Sequence, residues 1–307
     1  MKRPLQVILV LSALIWCERL PTVDAAQRLR VVTTLSTYAD LAKTIGGDRV
    51  EVSYVASPKF NPHFIEPKPS DVLKVQRAEL FIHSGLDLEL WRGPLLDAAS
   101  HRDVMPGGSR ELDLSRGVQL LEIPDHPVSR AEGDMHLYGN PHYWMSPDNG
   151  KIIAQEIADK LSDIDPPHAP AYERNLQQLV QQLDAKIPEW QQRLAPFKGQ
   201  EVIGYHNEWP YLMQFTGVRM EHFLEAKSGI PPTPKQLGWV TDYLRQRHAQ
   251  AVVQASYQSR EAADQVARRA GAKTVILCQN VGELPACGNY MAMLEYDTAQ
   301  LSQALTP

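Results

Sequence analysis

Beyond its first 25 residues the chain has no long hydrophobic run, it has no run of basic residues anywhere, and cysteine is scarce, with 3 in 307 residues. Without a later apolar stretch of about 20 residues there is no candidate spanning helix in the body of the chain. With a formal net charge of -5 and no basic patch, the sequence argues against nucleic-acid binding. No HExxH, GxSxG or Gly-rich phosphate loop occurs, so the common signatures of zinc peptidases, serine hydrolases and nucleotide-binding enzymes are missing. What is present is ordinary globular material, 43% hydrophobic and 22% charged, which excludes extended disorder. Proline is high at 23, and ten histidines exceed what packing alone requires.

The N-terminus reads as a targeting segment. Lys2 and Arg3 precede the apolar stretch LQVILVLSALIWC (5–17), and Val23-Asp24-Ala25 is a small-x-small cleavage signal. Ile15 and Trp16 before Cys17 do not suit a lipoprotein signal. Residues 1–25 are therefore expected to be removed, leaving an exported, soluble protein that starts near Ala26. Its charge is then 28 basic minus 34 acidic residues, or -6, once Lys2, Arg3, Arg19, Glu18 and Asp24 are gone. Two cysteines remain, Cys278 and Cys287. In an oxidising compartment an even pair reads first as a disulfide, with two separate buried thiols as the alternative.

The body alternates strand and helix signals. Strands are predicted over 28–34, 50–56 and 80–84, with helices over 38–45 and from Ser70-Asp71 to Arg77. The pattern restarts after residue 200, with strands over 201–205, 218–223, 251–255 and 274–277 and helices over 209–215, 235–247 and 260–270. Such alternation argues for parallel α/β packing. Between the halves, Leu176, Leu179, Val180, Leu183 and Ile187 recur at helical spacing within 169–193, with Pro188 as an expected kink. The predicted architecture is α/β: two similar α/β lobes with parallel sheets joined by one long rigid helix. The divisions are 26–165, 166–195 and 196–307.

Three histidines stand out. His63 lies in NPHFIEP after the second strand, His142 in GNPHYW ahead of a helix starting near Asp148, and His206 directly after the strand VIGY. Ligand crevices of α/β sheets lie at the carboxyl ends of strands. Neutral imidazole is the commonest metal ligand, and three of them leave a tetrahedral zinc one ligand short.

With these blocks in view, the chain resembles the substrate-binding proteins of bacterial zinc and manganese ABC transporters, the ZnuA/TroA-like family. NPHFIEPKPSD (61–71), GNPHYWMSPDN (139–149), YHNEWPYLMQFTG (205–217), GAKTVIL (271–277) and NYMAML (289–294) carry the likeness over nearly the whole mature chain. The resemblance implies one metal ion held between two lobes by His63, His142 and His206, and delivery to the membrane permease of an ABC importer. It implies a periplasmic monomer, with Zn2+ as cargo and Mn2+ or iron as alternatives. Manganese binders of the family commonly have Glu where this chain has His206, which favours zinc.

Two departures bear on the site. The family often supplies a fourth ligand, an Asp, after the last strand. Here Cys278 or Gln279 falls there, leaving Glu283, Glu225, Cys278 or water as candidates. A disulfide at Cys278 removes its thiolate. Many zinc members also carry a long His- and acid-rich loop before the second ligand, whereas 125–140 is short and holds only His126 and His136. His136 reads as an auxiliary residue or an exposed loop histidine. His83 is expected to pack in its strand, and Trp144 and Trp209 to shield the site. A zinc hydrolase using Glu66 or Glu208 as base, and a surface adhesin on the same fold, are the rival functions. Ion capture needs no catalysis, and affinity should fall as pH drops through the imidazole range near ~6.5. A single-helix connector predicts that metal orders local loops and moves the lobes little.

Overall fold

The computed structural model describes residues 28–125, 136–227 and 229–306. The expected signal peptide and cleavage site, and His126, lie outside the described residues.

The first sheet is built from β1 (Leu29–Thr33), β2 (Val50–Tyr54), β3 (Leu80–His83) and β4 (Glu111–Asp113), in the order β2-β1-β3-β4 and wholly parallel. All four residues of β3 are buried, as expected of a central strand covered on both faces. The crossover helices are α1 (Ser36–Gly46), α2 (Pro69–Gln76) and α3 (Arg92–Ala99). Helix α1 buries Tyr38, Leu41, Ala42 and Ile45, one stripe at helical spacing. It ends where Gly47 takes φ of 54°, and residue 46 must be glycine because the Val50 side chain would lie 2.4 Å from any Cβ placed there.

Helix α4 (Pro147–Ile164) leads into α5 (Ala169–Leu194), 26 residues long. Helix α5 buries Tyr172, Leu176, Leu179, Leu183, Trp190 and Leu194. It continues through Pro188 rather than breaking there. Beyond the proline, Trp190 Nε1 donates to Glu295 Oε2 at 2.7 Å and Arg193 pairs with the same carboxylate at 2.6 Å, which fixes the final turns.

The second sheet contains β5 (Ile203–Gly204), β6 (Ala251–Ala255) and β7 (Lys273–Leu277), again parallel in the order β5-β6-β7. Its helices are α6 (Pro210–Thr216), α7 (Pro234–Arg247), α8 (Arg260–Ala270) and α9 (Tyr290–Leu305). The strand expected over 218–223 is instead an irregular edge beside β5. Bridges join Glu201 to Arg219 and Gly204 to Phe223, so two intervening residues on one side face three on the other. The extra residue is a bulge and interrupts the ladder.

One apolar core runs through both lobes, taking in Val31, Phe81, Ile157, Leu183, Val253, Leu277 and Leu301. A smaller cluster (Ile203, Leu224, Val240, Val252, Val266) fills the outer side of the second sheet. The lobes also meet through polar contacts. Ser36 Oγ donates to Val281 O at 2.8 Å, Val281 N donates to Thr37 Oγ1 at 3.1 Å, and Tyr290 N donates to Asp40 Oδ2 at 2.8 Å.

Cys278 and Cys287 are joined in a disulfide, and both are fully buried. The bond closes a short loop over a sequence separation of nine residues. Replacing both cysteines by alanine should lower stability by roughly 2–3 kcal/mol, the loop-closure value for this length. Urea denaturation of the two proteins measures it, and equal midpoints would overturn the expected stabilisation.

Candidate metal centre

Each proposed histidine is set by a short local device. Asn61 begins a 3-10 turn over Pro62–Phe64 and its Oδ1 accepts from His63 N at 3.0 Å. Trp91 Nε1 clamps the turn by donating to Pro62 O at 2.8 Å. Asn140 does the same for His142, its Oδ1 accepting from His142 N at 3.0 Å. His206 follows β5, where Tyr205 N still donates to Val253 O at 2.7 Å.

The structure brings His63, His142 and His206 together with a fourth histidine, His136, so that one possible ligand atom from each lies within 4.8 Å of the others. His63 and His142 already face each other through Nε2 at 3.2 Å. Around a tetrahedral zinc with bonds of ~2.0–2.1 Å, ligand nitrogens sit roughly 3.3 Å apart. The cluster is thus close to that size. Ring centroids are 5.1 Å (His63–His136), 5.3 Å (His63–His142) and 5.5 Å (His63–His206).

Three of the rings are oriented through Nδ1. His142 Nδ1 lies 2.9 Å from Asn140 Oδ1, His206 Nδ1 lies 3.0 Å from Glu225 Oε2, and His136 Nδ1 lies 3.1 Å from Asp87 Oδ1. Asn140 Nδ2 donates to Glu122 Oε2 at 3.0 Å, which turns the amide oxygen toward His142. An oxygen acceptor opposite Nδ1 places the proton there and the lone pair of the neutral ring on Nε2. Carboxylate and amide partners of this kind raise the donor strength of metal-binding imidazoles. Asp87 also accepts from Leu137 N at 2.8 Å. Burial pushes the Asp87 carboxyl up, but the bonds from His136 and Leu137 outweigh it and hold the group ionised.

His142 is completely buried, and its pKa is driven well below the ordinary imidazole value, first by burial and then by the charges of His63, His136 and His206. In the folded state the ring therefore stays neutral to lower pH than a free imidazole. Proton competition at this position sets in below ~6.5, not through it. An NMR titration of the metal-free protein should find His142 protonating later on acidification than free imidazole does. A midpoint at or above that of imidazole would contradict the environment described.

The carboxylates that the sequence left as possible ligands lie otherwise. Glu225 is on His206 Nδ1. Glu283 accepts from Ser256 N, Gln279 N and Asn280 N at 2.7, 2.8 and 3.3 Å. Cys278 is in the disulfide. Gln279, beside Cys278, has its Oε1 2.6 Å from the Tyr257 hydroxyl. Glu208 is buried beside it, held by Tyr257 (2.7 Å) and Gln258 (2.9 Å), with burial pushing its pKa up to about 7. Glu66 is exposed. His136 is the residue that sequence reasoning undervalued. Its partner Asp87 is 49 residues upstream, a separation that carries no sequence signal. His83 is buried as expected, but it bonds Glu111 Oε1 at 2.9 Å and Arg92 rather than packing as an apolar residue. Trp144 and Trp209 are both fully buried, and Trp144 lies 5.5 Å from the His142 ring.

The chain is 29% identical over 252 residues to the iron-binding protein YfeA of Yersinia pestis, covering 81% of this chain and 76% of that one. It is 29% identical over 231 residues to the manganese ABC transporter substrate-binding lipoprotein PsaA of Streptococcus mitis, covering 73% of this chain and 71% of that one. In structure it is similar to FpvC of Pseudomonas aeruginosa in complex with Mn2+, with a TM-score of 0.77 at 23% identity over 91% of this chain and 99% of that one. The family model described as "Zinc-uptake complex component A periplasmic" matches residues 31–304. The chain therefore belongs to the zinc-uptake complex component A family, the metal-binding substrate-binding proteins of ABC importers.

Proposed function

We propose that this protein captures Zn2+ in the periplasm on His63, His136, His142 and His206 and hands it to the membrane permease of an ABC importer. The observation that carries the reading is the donor set: four converging imidazoles, three of them oriented through Nδ1, with no carboxylate oxygen in the cluster among the described residues. An all-nitrogen site suits zinc, whereas Mn2+ favours carboxylate, carbonyl and water oxygen. The related proteins are named for iron and for manganese, so the ligand chemistry of this chain is the discriminating feature. Ligands drawn from both lobes suit clamping and release of an ion.

Competition between Zn2+ and Mn2+ against a chelator of known affinity tests the proposal. One zinc per chain, bound far more tightly than manganese, is expected. A preference for manganese, or no zinc binding, would overturn it.

Loading should order loops and leave the lobes in place, because α5 is continuous and the core is shared. Hydrogen exchange with and without zinc should gain protection around His63, residues 136–142 and residues 206–208, with α5 unchanged. A large zinc-dependent change in solution scattering radius would point instead to wide hinge closure.

A further inference from the structure

We infer that Glu122 is a positioning residue that latches the two metal-binding loops together across the cleft and governs how fast the ion leaves. This rests on the metal-capture reading above. Glu122 Oε2 accepts two hydrogen bonds, from Asn140 Nδ2 at 3.0 Å and from Asn207 Nδ2 at 2.7 Å. Asn140 is the residue that holds both the backbone N and the ring Nδ1 of His142, and Asn207 directly follows His206. A third bond joins the asparagines themselves, Asn140 Nδ2 donating to Asn207 O at 3.1 Å. One carboxylate therefore ties the device that orients a first-lobe histidine to the neighbour of the second-lobe histidine, without touching either ring.

The surrounding backbone is built to present that carboxylate. Glu122 has φ of 54°, in the left-handed region that non-glycine residues seldom adopt. Leu121 beside it is held at both ends. Its N donates to Tyr211 OH at 3.0 Å and its O accepts from Asn140 N at 2.8 Å. Tyr211 OH in turn donates to Asn140 O at 2.7 Å. Asn140 is 2% exposed, whereas Glu122 itself is on the surface. An exposed side chain in a disfavoured backbone conformation, spanning two lobes, does little for core stability. Its contribution falls on the separation of His142 from His206, which is the motion that release requires.

Stopped-flow chelator capture of zinc from wild type, Glu122→Ala, Glu122→Gln and Asn207→Ala tests this. Glu122→Ala should raise the zinc off-rate about tenfold, the lower end of what loss of an outer partner of a metal ligand costs. The on-rate and the melting temperature should stay near wild type. Glu122→Gln keeps one acceptor oxygen without the charge and should recover most of the loss. The double variant Glu122→Ala/Asn207→Ala should be no faster than the worse single one, because both remove the same link.

Amide exchange at His142, whose N–H is held by Asn140 Oδ1, gives a metal-independent reading. It should speed up in metal-free Glu122→Ala and stay slow in Glu122→Gln. A wild type that binds no zinc overturns the functional reading, while the exchange result still decides the latch. Normal zinc binding with wild-type off-rates and wild-type His142 exchange in Glu122→Ala overturns the latch alone.

Discussion

Replacing His142 by alanine should cost at least about 100-fold in zinc affinity, since altering only an outer partner of a ligand already costs 10–100-fold. His142 is the most buried of the four histidines, at 0% exposure, and its Nε2 already meets His63 Nε2 at 3.2 Å. The ring is neutral and oriented before the ion arrives, so its removal deletes a prepared ligand and opens a hole beside Trp144. Alanine at His63, His136 or His206 should each weaken binding by tenfold or more. Calorimetry with chelator competition measures all four. An unchanged affinity in any variant removes that residue from the site, and His136 is the most informative because sequence alone did not separate it from an exposed loop histidine.

Trp144→Ala should be the most destabilising single change near the site, by roughly 3–5 kcal/mol, the usual range for emptying a fully buried large aromatic position. The indole packs edge-on against Tyr38 at 5.7 Å and lies 5.5 Å from the His142 ring. Its Nε1 donates across the lobes to Gln279 O at 2.8 Å. Trp144→Phe keeps most of the packing but leaves that carbonyl without its bond, which costs about 1–3 kcal/mol. The difference between the two variants in urea denaturation separates packing from hydrogen bonding. A loss below 1 kcal/mol in Trp144→Ala would mean the site collapses to fill the space. Zinc affinity should fall as well, because the His142 ring loses a wall.

Much of this was legible in the residues. Parallel strands with β-branched or mostly apolar runs, such as β1, β3 and β6, declare themselves, and the stripe of α5 follows the helical period over its whole length. Helix α9 does not, because Asp297 and Thr298 lie within its buried stripe and break the apolar pattern. Asp297 is tolerated there because its Oδ1 accepts from Cys278 N at 2.7 Å and burial raises its pKa well above the ordinary value. Strand β4 is only Glu111-Leu112-Asp113, and its buried Glu111 is offset by His83, a partner 28 residues away. Helix α3 opens on Arg92-Gly93-Pro94, which reads as a turn. At the site, NPH and GNPH advertise His63 and His142 because Asn and Pro make the turns that hold them. His136 has no such frame: its orientation comes from Asp87 through a tertiary contact.

The shared core and the uninterrupted α5 bear on how an importer tells full from empty. A partner that grips only surfaces unchanged by the ion binds both forms equally and gains no preference from loading. Two lobes free to swing would advertise occupancy through their overall shape. Here Leu183, Val253 and Leu301 belong to one packed body, and Ser36 and Thr37 are stitched to Val281 across the divide. On the metal-capture proposal, occupancy would then be read from local loops, where Phe64 and Tyr138, 60% and 58% exposed, lie close in sequence to His63 and His136. Discrimination between loaded and empty protein would then depend on how firmly those few side chains are held.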